Sequence, residues 1–437
     1  MKHRIRFVQK TLILMLPLVI FFVEICTADP DTNTNSTAVK LPARDYILIG
    51  HPNPSTGPLT GFGEASPWAD DRIVNWINAR GGIYITEYGR KLPVKVKIVD
   101  TESDPIKTIN ITTSLILQDK VDMIVTAHTP DIVNPVTAVC EKYNVPCVSD
   151  DTPVESWLSN GPYKWCYHSF FTLDDVSELY FNIWNQYADQ TNKVVGCLWP
   201  DDQDGKTWQS IMNKNLSGRG YTIINYSGFS PMTYDFSPAI NLFKSKNVNI
   251  VTGVFVFPNF VTFWRQAGQM KFYPKIVTVG KALLFPTDIK DIEGNAAEGL
   301  TTEVWWSPYH PFKSALTGET AKTLCDAWTR ETGKQWTMTL GFSYAPFEVA
   351  FDALARAQSL DKEKIRQAIE STDLDTVIGH IKYNQQHYCQ TPLVGGQWTK
   401  ENNNTWELKI IYNREHPEIP KTGQMIFPIP EKSAVRK

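Results

Sequence analysis

After its first 28 residues the sequence has no apolar run of about 18 residues, the length a membrane-crossing helix requires, so nothing beyond that point is expected to span a bilayer. Lysine and arginine never gather into a basic run, and 46 acidic against 43 basic residues set a net charge of −3, which argues against nucleic acid as a partner. No CxxC and no Cys/His zinc spacing occurs, so no metal is expected. GxxxxGK[ST], GxSxG and HExxH are all missing, so neither a cofactor nor an enzymatic activity is expected from motifs. No internal repeat of 20 to 50 residues is visible. The nearest approach to a nucleotide fingerprint is Gly61-Phe62-Gly63-Glu64-Ala65-Ser66. About ten loop residues separate it from the preceding strand, whereas the fingerprint needs its glycines in the tight turn itself.

What is present begins with Lys2, Arg4, Arg6 and Lys10, an apolar stretch from Leu12 to Val23, and Cys26-Thr27-Ala28. That order is a secretory signal peptide, residues 1–28. The apolar stretch is short for a membrane anchor. A lipid-modified Cys26 is the alternative, although Val23-Glu24-Ile25 lacks the small residues of such a site. Residues 29–43, rich in Thr, Asn and Pro, read as a disordered lead-in. Removing the signal segment takes four basic residues and one acidic residue, leaving 39 against 45. The mature protein is expected outside the cytoplasm, in the periplasm or its equivalent. Its six cysteines, Cys140, Cys147, Cys166, Cys197, Cys325 and Cys389, permit disulfides there. Free buried thiols are the alternative, since Cys140, Cys147 and Cys197 sit in or beside apolar patterns.

At 437 residues with 42% apolar and 20% charged residues, the chain is expected to fold as about two globular domains. Strand and helix patterns alternate from Tyr46 to Gly280. The apolar run Ile250-Val251-Thr252-Gly253-Val254-Phe255-Val256-Phe257 suits a strand buried on both faces of a parallel sheet. Two such series predict an α/β fold of two doubly wound parallel-sheet lobes joined by a hinge. The expected bounds are 44–168 plus 302–375 for the first lobe and 169–301 plus 376–437 for the second. After Gly299 the pattern changes to helices over 319–332, 341–358 and 361–371. Leu324, Ala327 and Trp328, then Phe347, Ala350, Phe351 and Leu354, mark one core-facing stripe on each of the first two. Alternating segments close the chain.

In open α/β sheets, ligands bind outside the carboxyl ends of the strands. Four such ends carry polar loops leading into helix starts: Ser55-Thr56-Gly57, His128 to Asp131, Ser149 to Thr152, and Phe171 to Asp175. Helix N-termini there offer unpaired N–H groups. The competing reading of Asp131, Thr152 and Asp174 is as N-caps.

Three stretches, Ser55 to Ser66 with Ile77 to Ile83, Val121 to Pro153, and Asn295 to Leu300 after the strand at Val277, give residues 44–413 a resemblance to substrate-binding proteins of branched-chain amino acid type ABC transporters. The resemblance implies the type I periplasmic-binding fold, a cleft that closes on a small ligand, delivery to a membrane permease, and no catalysis. It implies Phe62 as an aromatic wall, Thr129 and Asp131 in one carboxylate-binding loop, and Asp150, Asp151 and Thr152 in another. Asp174 would approach the ligand amino group, and Phe257 and Asn259 would be the second lobe's contribution. The loop from Ser55 to Glu64 would be a lip over the solute.

Lys281 departs from that family, whose amino-acid binders place an acidic residue near this point. A lysine about 4 Å from a ligand ammonium would cost about 4 kcal/mol at an effective dielectric of 20. An anionic or neutral ligand is therefore expected, unless Lys281 faces solvent or pairs with Asp150 or Asp151. Of the adjacent Trp305 and Trp306, one at most faces the cleft; Trp305 is taken as the candidate. A soluble sensor of the same fold and a secreted enzyme are the rival functions.

Overall fold

A computed structural model describes residues 44–431, apart from residues 231, 293 and 402–404. The signal peptide and lead-in expected over 1–43 lie outside the described residues. The strands are β1 (Ile47–Asn53), β2 (Ile83–Ile85), β3 (Arg90–Leu92), β4 (Val94–Asp100), β5 (Met123–Thr126), β6 (Cys147–Asp150), β7 (Cys166–Ser169), β8 (Val194–Pro200), β9 (Thr222–Phe229), β10 (Ile250–Val254), β11 (Ile276–Gly280), β12 (Thr301–Val304), β13 (Asp373–Thr376), β14 (Gly379–Lys382), β15 (Tyr388–Cys389), β16 (Val394–Lys400) and β17 (Trp406–Tyr412).

They form two main sheets, ordered β15-β7-β6-β5-β1-β4 and β17-β16-β12-β11-β10-β8-β9. The first is parallel throughout. The second is parallel from β9 to β12, with β16 and β17 added antiparallel. Each contains the same doubly wound order, in which the first strand of the lobe stands second from one side and the next strands wind away from it. The chain therefore reverses direction across the sheet between β1 and β5, and again between β8 and β10. Loops part at those two places and leave a crevice at the carboxyl edge.

The strands form where the sequence is apolar on both faces: β5, β6, β7, β10, β11 and β12 are buried at every residue, as helices on both sides require. Helix starts are set by local chemistry. Thr172 caps the helix Leu173–Asn185 in a reciprocal capping box with Asp175, satisfying two otherwise unpaired donors. Asp131, Thr152 and Asp174 cap nothing: the N-caps at those places are Thr129, Pro153 and Thr172. The small hairpin β2–β3 has no counterpart in the sequence reading. It packs so closely behind Gly82, at φ +87°, that a Cβ there would stand 2.0 Å from the Leu92 carbonyl oxygen, and only glycine fits.

The chain passes between the sheets at residues 170–172, 305–320 and 390–393. Because β12 pairs with β11 and β15 with β7, the last crossing falls after Cys389, not at residue 376 as expected. Residues 373–382 form a separate hairpin, β13–β14. The strand-poor stretch 321–370 returns to the first sheet, where the helix Thr339–Ala357 packs on the helix Ser66–Asn78 and on β5 and β6. Among the described residues no helix is long and apolar enough to cross a membrane.

Candidate functional site

The carboxyl edges of the two sheets meet. Phe62, from the short helix Thr60–Gly63 that follows β1, packs edge-on against Phe285 from the loop after β11, ring centroids 4.8 Å apart. Behind this contact is a cavity of about 40 Å³ lined by Phe62, Thr129, Pro130, Asp151, Pro153, Phe170, Phe171, Asp204, Trp208, Val254, Lys281, Leu284, Glu303 and Trp305. All of these residues come from the end of a β-strand, the loop after it, or the first helical turns that follow. Such a space holds roughly three waters, so a metabolite-sized ligand enters only if the edges part.

Aromatic side chains form most of the wall. Phe170 leaves β7 at the first crossing and Trp305 leaves β12 at the second. Their rings meet at 5.2 Å, and Trp305 also meets Phe342 at 5.0 Å. Trp306 turns the opposite way, donating from Nε1 to the Val377 carbonyl oxygen at 2.9 Å, as strand alternation requires.

The charged part centres on Lys281. Its ammonium stands 3.5 Å from Asp131 Oδ2 of the first lobe and 3.4 Å from Asp204 Oδ2 of the second, with the lysine side chain 9% exposed. Burial opposes its charge, but the Asp131 and Asp204 carboxylates more than offset this and hold the lysine pKa above its ordinary value. Burial pushes Asp204 up to about 6 despite Lys281. Glu303 is pushed up to about 7 by burial, against hydrogen bonds from Tyr180 and Thr302 and a long one from the Lys281 amide. The partners of Lys281 are thus Asp131 and Asp204; neither Asp150 nor Asp151 is in its first contact.

Asp151 reaches the cavity from the other side. A fully buried chain fixes it: Ser343 Oγ to Ser66 Oγ at 3.2 Å, Ser66 Oγ to His128 Nε2 at 2.9 Å, and His128 Nδ1 to Asp151 Oδ2 at 3.0 Å. Burial, with the charge of His51, holds the His128 pKa well below its usual value. Ser, His and Asp in this order have the connectivity of a nucleophilic triad. Here the Ser66 hydroxyl is fully buried and does not line the cavity, so the chain orients Asp151.

Backbone strain gathers at the same edge. His128, Thr129, Asp151 and Lys281 have φ of +79°, +74°, +58° and +66°. For a β-branched residue such as Thr129 that is a true outlier, and strain of this kind persists where the surroundings enforce it, commonly at binding sites. Three buried polar atoms of the lining have no partner: Thr129 Oγ1, Asp204 Oδ1 and Trp208 Nε1. Buried polar groups without partners cost free energy, and a bound solute would satisfy them.

Of the expected site residues, Phe62, Thr129, Asp151, Lys281 and Trp305 line the cavity, and Asp131 joins them through Lys281. Phe257 lies in an adjoining rim groove of about 210 Å³ with Gly57, Pro58, Gly61 and Phe285. The lip loop itself has spent its donors: the Ser55 and Thr56 amides and the Thr56 hydroxyl all bond to Asp100. Asn259 turns to the Thr233 carbonyl oxygen at 3.3 Å. Thr152 accepts from His168 through its carbonyl at 2.7 Å, and its side chain is not in the lining. Asp150 points into the first lobe, toward Tyr383 and Pro346, because strand alternation sends neighbours to opposite faces. Asp174 does not reach the site: it is exposed and accepts from Asn215 Nδ2 at 2.7 Å. The sequence reading missed Asp204, Trp208, Phe170 and Glu303. An acidic residue inside the apolar run Val304-Trp305-Trp306 and its preceding threonines was a usable signal for Glu303.

A model of the periplasmic binding protein family matches residues 47–403. The chain is 21% identical over 346 residues, 79% of its length and 87% of the relative's, to the leucine-, isoleucine-, valine-, threonine- and alanine-binding protein of Pseudomonas aeruginosa. A leucine-binding protein, LivK, from Thermotoga maritima superposes with a TM-score of 0.71 at 21% identity, covering 84% of this chain and 99% of that one. A solute-binding protein of an ABC transporter from Rhodopseudomonas palustris, in complex with 3,4-dihydroxybenzoic acid, superposes with a TM-score of 0.66 at 18% identity over 83% and 96%.

Proposed function

The chain belongs to the periplasmic binding protein family, and from that premise we propose that it captures a small anionic or neutral metabolite with a flat apolar body and delivers it to an ABC-type permease. Catalysis has no part in this reading. The observation that carries it is the convergence of three donors, Lys281 Nζ, Trp208 Nε1 and the Thr129 hydroxyl, on an aromatic-walled cavity in which two of the three lack partners. An acceptor-rich ligand satisfies them. A ligand ammonium is disfavoured beside the ammonium of Lys281, which already stands between Asp131 and Asp204 and would repel a second cation. The dihydroxybenzoic acid bound by the Rhodopseudomonas protein is of the chemical class proposed; the isoleucine and leucine binders are not.

The mechanism is hinge closure. Residues from both sheets touch the ligand together only when the edges meet, so binding shifts an open–closed equilibrium by the ligand's preference for the closed state. The three crossings, with Phe170 and Trp305 at two of them, are the hinge. A permease reading the closed shape would distinguish loaded from empty protein.

Calorimetric titration with benzoate, 3,4-dihydroxybenzoate, leucine and isoleucine tests the ligand class. Saturable heat from an aromatic acid and none from the amino acids is expected. Saturation by leucine or isoleucine alone would overturn the argument from Lys281.

A further inference from the structure

Three of the six buried cysteines form one cluster in the first lobe. Cys140 lies on the helix Pro130–Tyr143, and Cys147 and Cys166 stand in register on the neighbouring parallel strands β6 and β7. All three are fully buried in the same apolar cluster. Cys166 Sγ lies 3.5 Å from the Thr137 carbonyl oxygen, one turn before Cys140 on the same helix, and that helix packs on both β6 and β7. The other three are placed elsewhere: Cys197 in the second sheet, Cys325 on the helix Ala321–Thr332, and Cys389 on β15.

We propose that Cys140, Cys147 and Cys166 are an oxidation site that closes a single disulfide, always with Cys140 as one partner. Neighbouring parallel strands stand about 4.8 Å apart, wider than the roughly 3.8 Å between Cβ atoms that a disulfide favours. Cys147 and Cys166 are therefore poorly spaced for each other. Cys140 is buried between its helix and the sheet, in the same cluster as both strand thiols, so it is the one partner that can approach either. One thiol remains free after closure and can exchange with the bridge.

The chemistry balances with a disulfide oxidant such as oxidised glutathione. One cysteine thiolate attacks it and expels a glutathione thiolate. A second cysteine thiolate then displaces the other glutathione. Two thiols lose two protons and two electrons, and the oxidant is reduced to two thiols. In the cell the oxidant would be supplied by an extracytoplasmic compartment, and in that respect alone the inference rests on the proposed export. The consequence bears on the cleft: a bridge from Cys140 to the sheet would pin the helix whose first turn carries Pro130 and Asp131.

The test uses the mature chain, reduced and unfolded, then refolded in a mixture of oxidised and reduced glutathione. Remaining thiols are alkylated in denaturant and the digest is mapped by mass spectrometry. One bridge is expected, Cys140–Cys147 or Cys140–Cys166, with the other cysteines alkylated. Cys140→Ser should abolish the bridge, while Cys166→Ser should keep it as Cys140–Cys147. Alkylation of every cysteine, a Cys147–Cys166 bridge, a bridge to Cys197, Cys325 or Cys389, or a bridge surviving in Cys140→Ser would each overturn the proposal. Ligand titration of the same refolded samples separates this outcome from the proposed binding, which stands or falls on its own.

Discussion

Lys281 Nζ and Asp131 Oδ2, 3.5 Å apart, are the closest opposite charges to meet between the carboxyl edges of the two sheets, and Asp204 completes the contact from the lysine's own side. Asp131 is about one third exposed, so solvent screens the pair and its worth is at most about 1 kcal/mol. That is still roughly a fivefold change in an open–closed ratio. Asp131→Asn should populate the open form several-fold more without ligand, read as faster hydrogen exchange at amides lining the cavity; unchanged exchange there would contradict a bridging role.

Removing the lysine is a different matter. Lys281→Met strands the buried Asp204 carboxylate next to Asp131, and loss of one partner of a buried pair typically costs about 3 kcal/mol. Urea unfolding at neutral pH should show a loss of that order, smaller in acid, where Asp204 can take a proton. A loss independent of pH would point to packing instead of charge.

Two buried glutamates set a pH dependence. Burial raises Glu303 from an ordinary 4.5 to about 7 and Glu348 from 4.5 to about 8. Between the ordinary and folded values the native protein holds protons that the unfolded chain has released, so these groups make stability fall as pH rises through that window. Glu303→Gln and Glu348→Gln should each lose less stability than the wild type between about pH 5 and about pH 8. Equal losses in variant and wild type, from urea midpoints, would refute the assignment.

Thr129 combines strain with an unpartnered hydroxyl. Thr129→Gly relieves a backbone conformation that costs of order 1–3 kcal/mol in a non-glycine residue, but it removes a donor to the ligand. Thermal stability should hold or rise while affinity for the ligand found by titration falls about tenfold, the equivalent of one hydrogen bond. A loss of stability with affinity unchanged would place the hydroxyl in the fold's support.

Trp305→Ala removes the cavity wall nearest the second crossing. Affinity should fall at least tenfold, as for a buried aromatic contact, and the ligand-induced change in tryptophan fluorescence should shrink.

Much of the fold was legible because parallel strands buried on both faces leave continuous apolar runs, as in β10 and β11, and because doubly wound sheets put their binding loops at one edge. The Thr129 loop and Trp305 could be nominated on that basis, whereas Phe62 and Lys281 came from the resemblance to the family, the first as a match and the second as a departure. Side-chain direction at a strand's last residue was not legible: Asp150 and Asp151 look equivalent in sequence, yet where β6 ends sends one inward and the other into the cleft. Asp174 failed for a related reason, since its place in the first helical turn turned it outward while Thr172 and Asp175 did the capping. Nothing in the sequence singled out Asp204, which sits in a first helical turn as many acids do, and only its pairing with Lys281 across space gives it a role.

The most direct measurement is small-angle X-ray scattering on Asp131→Asn before and after the ligand identified by titration is added. An expanded profile that contracts on binding to match the two touching edges is expected. A profile identical in both states, with binding verified calorimetrically on the same sample, would contradict a cleft that closes on its solute.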